Sequence, residues 1–404
     1  MKRLALIALG LVIALLLFVS MTERARRAVF MGTLFQGFDM TDEFADMQGL
    51  FPVHVVETSD PIPLVESDTS VPLPKAYDYD GETRDLRSFL DETDTSGLIV
   101  LRDGEVVFEE YSPASSADTR WISWSVAKSF VSAMIGIALE DGLIDSVHDP
   151  ITRYIPELAG SAYDGVPIED ILEMSSGASW DEDYGDPTSD ITRFGAAIVF
   201  GYSQDEFAAT LERDREPGTY NRYNSTDTQV LGMLLVRTTG MSLAEYTEVK
   251  LWKPMQMEHD AYWITDEPGM ELAFGGLNAT LRDYARFGEM YRNGGRWNGR
   301  QIVPEPWVKR STVPNKPHLQ PGEQPGSESI FGYGYQWWMP PEGDEGEYSA
   351  IGVYNQFVYV NPTRDVVIAK TSANQAYGVD ETTDREIETL SAFRTIARAV
   401  GGER

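Results

Sequence analysis

Cysteine is missing from all 404 residues. Its absence excludes disulfides, thiolate nucleophiles, Cys-ligated zinc and iron–sulfur clusters at once. Histidine is nearly missing. His54, His148, His259 and His318 are the whole complement, and none stands in H-E-x-x-H or a comparable ligand spacing. A zinc hydrolase is therefore disfavoured, no cofactor is called for, and nucleophilic chemistry would need a base other than histidine. Positive charge is scarce too: 33 Lys+Arg, only eight of them lysines, face 64 Asp+Glu, for a formal charge of −31. A field of that sign repels phosphate backbones and argues against a nucleic-acid partner. The acidic, lysine-poor surface suits a high-salt habitat or is simply well solvated. Neither G-x-G-x-x-G, nor G-x-x-x-x-G-K-[ST], nor G-x-S-x-G occurs, which sets aside Rossmann, P-loop and α/β-hydrolase enzymes.

What is present suffices for a folded core: 42% of residues are hydrophobic and 11% aromatic. Met1-Lys2-Arg3 precede an apolar run from Leu4 to Ser20, followed by Arg24, Arg26 and Arg27. At 1.5 Å per residue the run spans roughly 25 Å, near the short limit for crossing a bilayer. It reads as a membrane anchor within residues 1–27, with a cleaved signal or a buried helix as alternatives. The chain would then be membrane-anchored or exported to the periplasmic or extracellular side. Basic residues flank both ends, so the orientation stays open.

Residues 28–84 read as an acidic arm carrying Pro61, Pro63, Pro72 and Pro74, extended over the main domain or linking it to the anchor. One α+β unit follows over 85–404. Leu98–Leu101 and Val106–Phe108 predict strands joined by a hairpin at Asp103-Gly104. A helix is expected from Ser125 to about Glu140, ended by Asp141-Gly142. Residues 150–300 read as mostly helical. Strands are expected at Gly332–Met339, at Ala350–Val353 running on through Tyr354–Val360, and at Asp365–Thr371. A last helix is expected over about Thr382–Val400.

The chemistry concentrates in Trp124-Ser125-Val126-Ala127-Lys128. Ser125 and Lys128, three apart at a helix start, share one face. A serine hydroxyl attacks only when a base takes its proton, and a lysine serves only if burial or positive potential depresses its pKa. This is the only S-x-x-K in the chain, although chance alone produces such a motif readily. Tyr223-Asn224-Ser225 offers a phenol and a hydroxyl two residues apart, which a packed tyrosine before a helix cap would also give. Gly352 allows a substrate along a strand edge, with the Val353 N–H as an oxyanion donor beside that of Ser125; alone it is a strand glycine.

Together, in this order, the three elements resemble the serine β-lactamase and penicillin-binding-protein superfamily over about residues 85–400. The sequence is most similar to its 6-aminohexanoate-dimer hydrolase branch, through Asp181-Glu182-Asp183-Tyr184-Gly185-Asp186-Pro187, Tyr223-x-Ser225, Gln336-Trp337-Trp338 and Gly352-Val353-Tyr354-Asn355-Gln356. The resemblance implies an antiparallel sheet flanked by helices, an all-helical subdomain over about 150–300, and a cleft between them. It implies Ser125 as nucleophile, Lys128 as base, Tyr223 in proton transfer, and the N–H groups of Ser125 and Val353 as oxyanion hole. Tyr184, Ser225, Trp338 and Gly352 would line the substrate site. Two positions depart. Where β-lactamases and DD-peptidases carry Lys or His to hold a carboxylate, this chain has Ala350, though Arg222 is a possible substitute. The acidic residue of the nylon-oligomer enzymes falls near Gly195.

The leading expectation is a serine hydrolase acting on a small ester or amide. The alternatives are a β-lactamase or D-amino-acid peptidase or esterase of the same fold, and a catalytically silent, membrane-tethered binding protein.

Overall fold

The computed structural model describes residues 22–379 and 384–401; the apolar run Leu4–Ser20 lies outside them. Among the described residues no helix is long and apolar enough to cross a membrane. Residues 22–33 are helical. The stretch expected as an extended arm is instead partly folded into the sheets. β1 (Val53–Val56) pairs with a later strand, β2 (Val65–Glu66) joins a sheet edge, and β3 (Ala76–Tyr79) and β4 (Glu82–Asp85) form a hairpin. The prolines fall between these short pieces, where no ladder hydrogen bond is lost.

β5 (Thr95–Arg102) and β6 (Glu105–Tyr111) form the expected hairpin. Asp103 and Gly104 both take positive φ, 52° and 81°, as a tight two-residue turn requires. β7 (Trp121–Ile122), β8 (Ala261–Ile264) and β9 (Leu277–Ala279) build a four-stranded sheet with β1, in the order β1-β8-β9-β7. The middle of the chain is therefore not wholly helical. β10 (Arg296–Trp297) and β11 (Arg300–Gln301) make a small hairpin. β12 (Gly332–Tyr333), β13 (Trp338–Met339), β14 (Tyr348–Gly352), β15 (Gln356–Asn361) and β16 (Val366–Ser372) complete an eight-stranded sheet ordered β12-β13-β14-β15-β16-β5-β6-β2. It is antiparallel apart from the two-residue β2–β6 pairing.

Two strand expectations are corrected. The segment 332–339 is two short strands around a turn at which Gln336 has φ 63°. The strand from Ala350 does not run on through Tyr354; the chain reverses at Val353–Asn355, and β14 pairs back onto β15. Tyr354 (φ 62°) and Asn355 (φ 64°) adopt left-handed backbone, which stops the strand.

Besides the helical stretch 22–33, longer helices dress the sheets: α1 (Ala127–Glu140), α2 (Asp190–Phe200), α3 (Ser225–Thr239), α4 (Leu281–Arg292) and α5 (Glu386–Val400). α4 lies on one face of the large sheet. Its Gly288 permits the approach, since a Cβ there would stand 2.7 Å from both Val358 and Val367. α5 covers the other face with Leu390, Phe393 and Ile396 against Val100, Phe357 and Ile368. α1 carries Lys128 and is buried along nearly its whole length, flanked by α3. Phe130 of α1 stacks on Phe287 of α4 at 3.6 Å between ring centroids. That contact ties the helix bearing Lys128 to the helix on the sheet. Phe130→Ala should cost about 3–5 kcal/mol for the lost burial and the cavity it leaves, read as a lowered urea midpoint with the far-UV spectrum retained.

Candidate active site

Ser125 sits in a single 3-10 turn, Trp124–Val126, that leads directly into α1. Trp124, the residue before it, takes left-handed backbone (φ 44°). Its ring packs near that of Tyr354, at 6.1 Å and 30° between planes, and edge-on to Phe44 at 5.4 Å. Trp124 and Tyr354, both with unfavourable backbone, thus brace one another across the two segments that carry Ser125 and Val353. Gly352 lies tight behind this turn: a Cβ there would stand 2.6 Å from the Ser123 carbonyl and 3.1 Å from the Ser125 nitrogen. No side chain fits, and the close approach sets the Gly352–Val353 backbone against Ser125.

Lys128 is buried, 2% exposed. Burial depresses its amine to about 7, against a smaller opposing pull from Glu182. Three oxygens surround Nζ: Ser125 Oγ at 2.9 Å, Ser225 Oγ at 3.2 Å and the Phe274 carbonyl at 2.8 Å. The carbonyl can only accept. Ser225 donates its own proton to Glu182 Oε1 at 2.6 Å, so towards Lys128 it too can only accept. A neutral amine has two N–H donors for those two oxygens. Its lone pair is then left facing the Ser125 hydroxyl, the arrangement in which a serine can hand over its proton.

Glu182 is the polar pivot of the site; the stretch 181–187 figured in the resemblance, but only Tyr184 within it was expected at the site. Its carboxylate accepts from the Ser225 N–H at 3.0 Å, the Tyr184 hydroxyl at 2.8 Å and the Trp180 indole. It therefore caps the start of α3, where negative charge is favoured. Asp181 and Asp183 on either side are exposed, while 182 and 184 turn inward. Asn224 caps the same helix through the Thr226 N–H, at 2.8 Å. Beneath it Asp227 is wholly buried and pushed up to about 8, chiefly by desolvation, and it accepts from Tyr163 and Ser176, each at 2.8 Å.

The Tyr223 ring centroid lies 5.0 Å from Lys128 Nζ. Its phenol is held well above the usual tyrosine range by burial and by Glu182, with the Ser125 hydroxyl opposing, so it is a neutral donor at physiological pH. Trp338 packs against Tyr223 at 5.1 Å and holds that ring from behind. Arg222 points elsewhere, to Asp214 at 3.0 Å and Glu328 at 3.6 Å. Ala350 is 1% exposed, opposite Val358, with its methyl in the core. Of the positions expected at the site, Ser125, Lys128, Tyr223, Ser225, Tyr184, Gly352 and Val353 are brought together, with Trp338 behind Tyr223.

A cavity of about 600 Å³ opens from Ser125, with Tyr184, Ser225, Phe274 and Val353 around its base. One wall comes from residues 28–36, including Phe30, Met31, Leu34 and Phe35. Phe35 stacks on Tyr184 and Tyr354 at 4.5 and 5.1 Å, and its N–H donates to the Tyr354 hydroxyl at 2.8 Å. The opposite wall is α2, where a Cβ at Gly195 would stand 2.7 Å from the Met31 methyl.

This sheet-and-helix architecture, with a serine and a buried lysine one helical turn apart, defines a class of serine hydrolases. Residues 84–392 match the beta-lactamase family model, and the chain belongs to that family. It is 32% identical over 340 residues to the 6-aminohexanoate-dimer hydrolase of Paenarthrobacter ureafaciens, covering 82% of this chain and 84% of the relative. Among solved structures it is similar to a Bacillus anthracis protein assigned as a 6-aminohexanoate-dimer hydrolase. That match has a TM-score of 0.78 at 25% identity, over 89% of this chain and 94% of the other. A penicillin-binding-protein homologue from Caulobacter crescentus shares the fold, with a TM-score of 0.57 at 15% identity over 77% and 96% of the two chains.

Because Glu182 favours the charged form of Lys128, its removal should lower the amine's pKa further. In Glu182→Gln the acid limb of the pH–rate profile should move to lower pH and the plateau rate should fall, measured as kcat/KM against pH. A fall in rate with an unmoved limb would show that Glu182 only shapes the site.

Proposed function

We propose that this hydrolase cleaves small, uncharged esters or amides through an acyl-enzyme on Ser125. The observation that carries the reading is the set of partners around Lys128. Two fixed acceptors use the N–H groups of the neutral amine and leave its lone pair to the serine. In this scheme Lys128 takes the Ser125 proton as the oxygen attacks the substrate carbonyl. The developing oxyanion lies between the N–H groups of Ser125 and Val353, whose spacing the bare Gly352 permits. Tyr223, protonated at neutral pH, passes a proton to the leaving group and regains one through Lys128. Water then enters and the same steps run in reverse. The apolar run before Arg24, if it stays on the mature chain, would tether the enzyme to a membrane.

Ser125→Ala should abolish turnover, a loss of several orders of magnitude, with the fold intact. Lys128→Arg should be nearly as damaging as Lys128→Ala, since arginine keeps the charge but gives up no proton near neutrality. Rate should rise with pH through about 7, in proportion to neutral Lys128. An arginine variant with near-normal rate would show that position 128 supplies charge rather than basicity.

Substrate charge follows from Ala350 and Arg222. A methyl in the core pairs with no carboxylate, and the neighbouring arginine is already engaged by Asp214 and Glu328. Neutral p-nitrophenyl butyrate should therefore be turned over with a higher kcat/KM than nitrocefin or peptides ending in D-Ala-D-Ala. Efficient nitrocefin hydrolysis beside weak ester cleavage would reverse this assignment.

A further inference from the structure

The cavity beside Ser125 differs in character from the rest of the molecule. The protein carries a formal charge of −31, yet among the described residues none that lines this cavity is charged. Its walls are Phe30, Met31 and Leu34 from the N-terminal segment and Ile191, Ile198 and Leu272 facing them. Ser125 lines the same space, so whatever occupies it is continuous with the group being attacked. The large hydrophobic side chains left exposed add to the picture. Phe200 ends α2, which forms one wall, and Tyr202 lies two residues beyond it; both are more than 60% exposed. Lone exposed apolar residues are ordinary, but two at the end of a helix that walls one apolar cavity mark a surface suited to apolar matter.

We infer that the cavity is an acyl-chain pocket, and that the preferred substrates are esters or amides of a straight, uncharged alkyl chain longer than acetyl or butyryl. This deepens the reading of Ser125 as nucleophile and rests on it. The volume, about 600 Å³, lies within the range that buries most of a ligand of that size. With no charged side chain among the described residues of the walls, a terminal carboxylate or ammonium on the chain would be desolvated without a partner there and excluded. At Gly195, one of the lining residues, the Met31 methyl lies against bare backbone. A leucine there would drive Met31 or itself into the space.

The test is kcat/KM for p-nitrophenyl acetate, butyrate, octanoate and dodecanoate, on the full chain and on Gly195→Leu. The octanoate-to-acetate ratio should be about tenfold or more in favour of octanoate, and it should fall by a similar factor in Gly195→Leu. Labelling of Ser125 by a long-chain alkyl fluorophosphonate should outpace labelling by the ethyl analogue in the same way. Rates that fall steadily beyond acetate, with Ser125→Ala still inactive, would overturn the pocket and leave the hydrolase intact. Failure of every ester together with no labelling of Ser125 would overturn both. Octanoyl and dodecanoyl monoacylglycerols, given free in solution and in neutral phosphatidylcholine vesicles, separate the sources. Faster turnover from vesicles assigns the chain to a membrane lipid, faster turnover from solution assigns it to a free amphiphile, and turnover from neither overturns the pocket.

Discussion

The desolvation of Lys128 is the interaction on which the site depends. An exposed lysine is an ammonium at physiological pH and useless as a proton acceptor. Here the helix that carries it is sunk between α3 and α4, and burial alone brings the amine close to neutrality. The same burial would be ruinous without partners, because an orphaned amine in a dry interior costs as much as it gains. Ser225, the Phe274 carbonyl and Ser125 supply those partners. Much of the surrounding architecture serves to hold these oxygens still, from the Glu182 clasp on Ser225 to the packing of Phe130 on Phe287.

The second constraint is backbone strain shared between distant parts of the chain. Trp124 and Tyr354 each adopt a conformation that bulky residues avoid, and their rings pack together with Phe44. Neither strained segment would persist alone. Joined, they bring the turn at Ser125 and the turn at Val353 into register, with the Gly352 backbone pressed on Ser123 and Ser125.

How far the sequence foretold this depends on the range over which each feature is encoded. Ser125 and Lys128 were legible because three residues of helix place them together whatever the rest of the fold does. The β5–β6 hairpin was legible because Asp-Gly states its own turn. The reversal at Val353–Asn355 was missed since it holds neither glycine nor proline. It is held by ring stacking on Tyr354 and by Asn355, whose side chain donates to the Asp384 carbonyl at 2.6 Å and accepts from Asn374 at 2.7 Å. Glu182 stood in an acidic stretch that figured in the resemblance, but its flanking aspartates gave no local reason to pick it over them. The wall built by Phe35 and its neighbours depends on contacts spanning 319 positions, as with the bond to Tyr354, and no local pattern announces it.

That wall has a consequence for how such enzymes diverge. The family match begins at residue 84, whereas the segment forming one side of the cavity spans residues 28–36. The Ser125–Lys128 pair and one wall of the cavity are thus encoded in separate stretches of the gene. Drift or exchange in the leading stretch can remodel that wall while leaving the Ser125–Lys128 pair untouched. Two members with matching reactive residues can accordingly occupy different metabolic niches. Similarity counted over the shared domain alone is a poor guide to which niche each one fills.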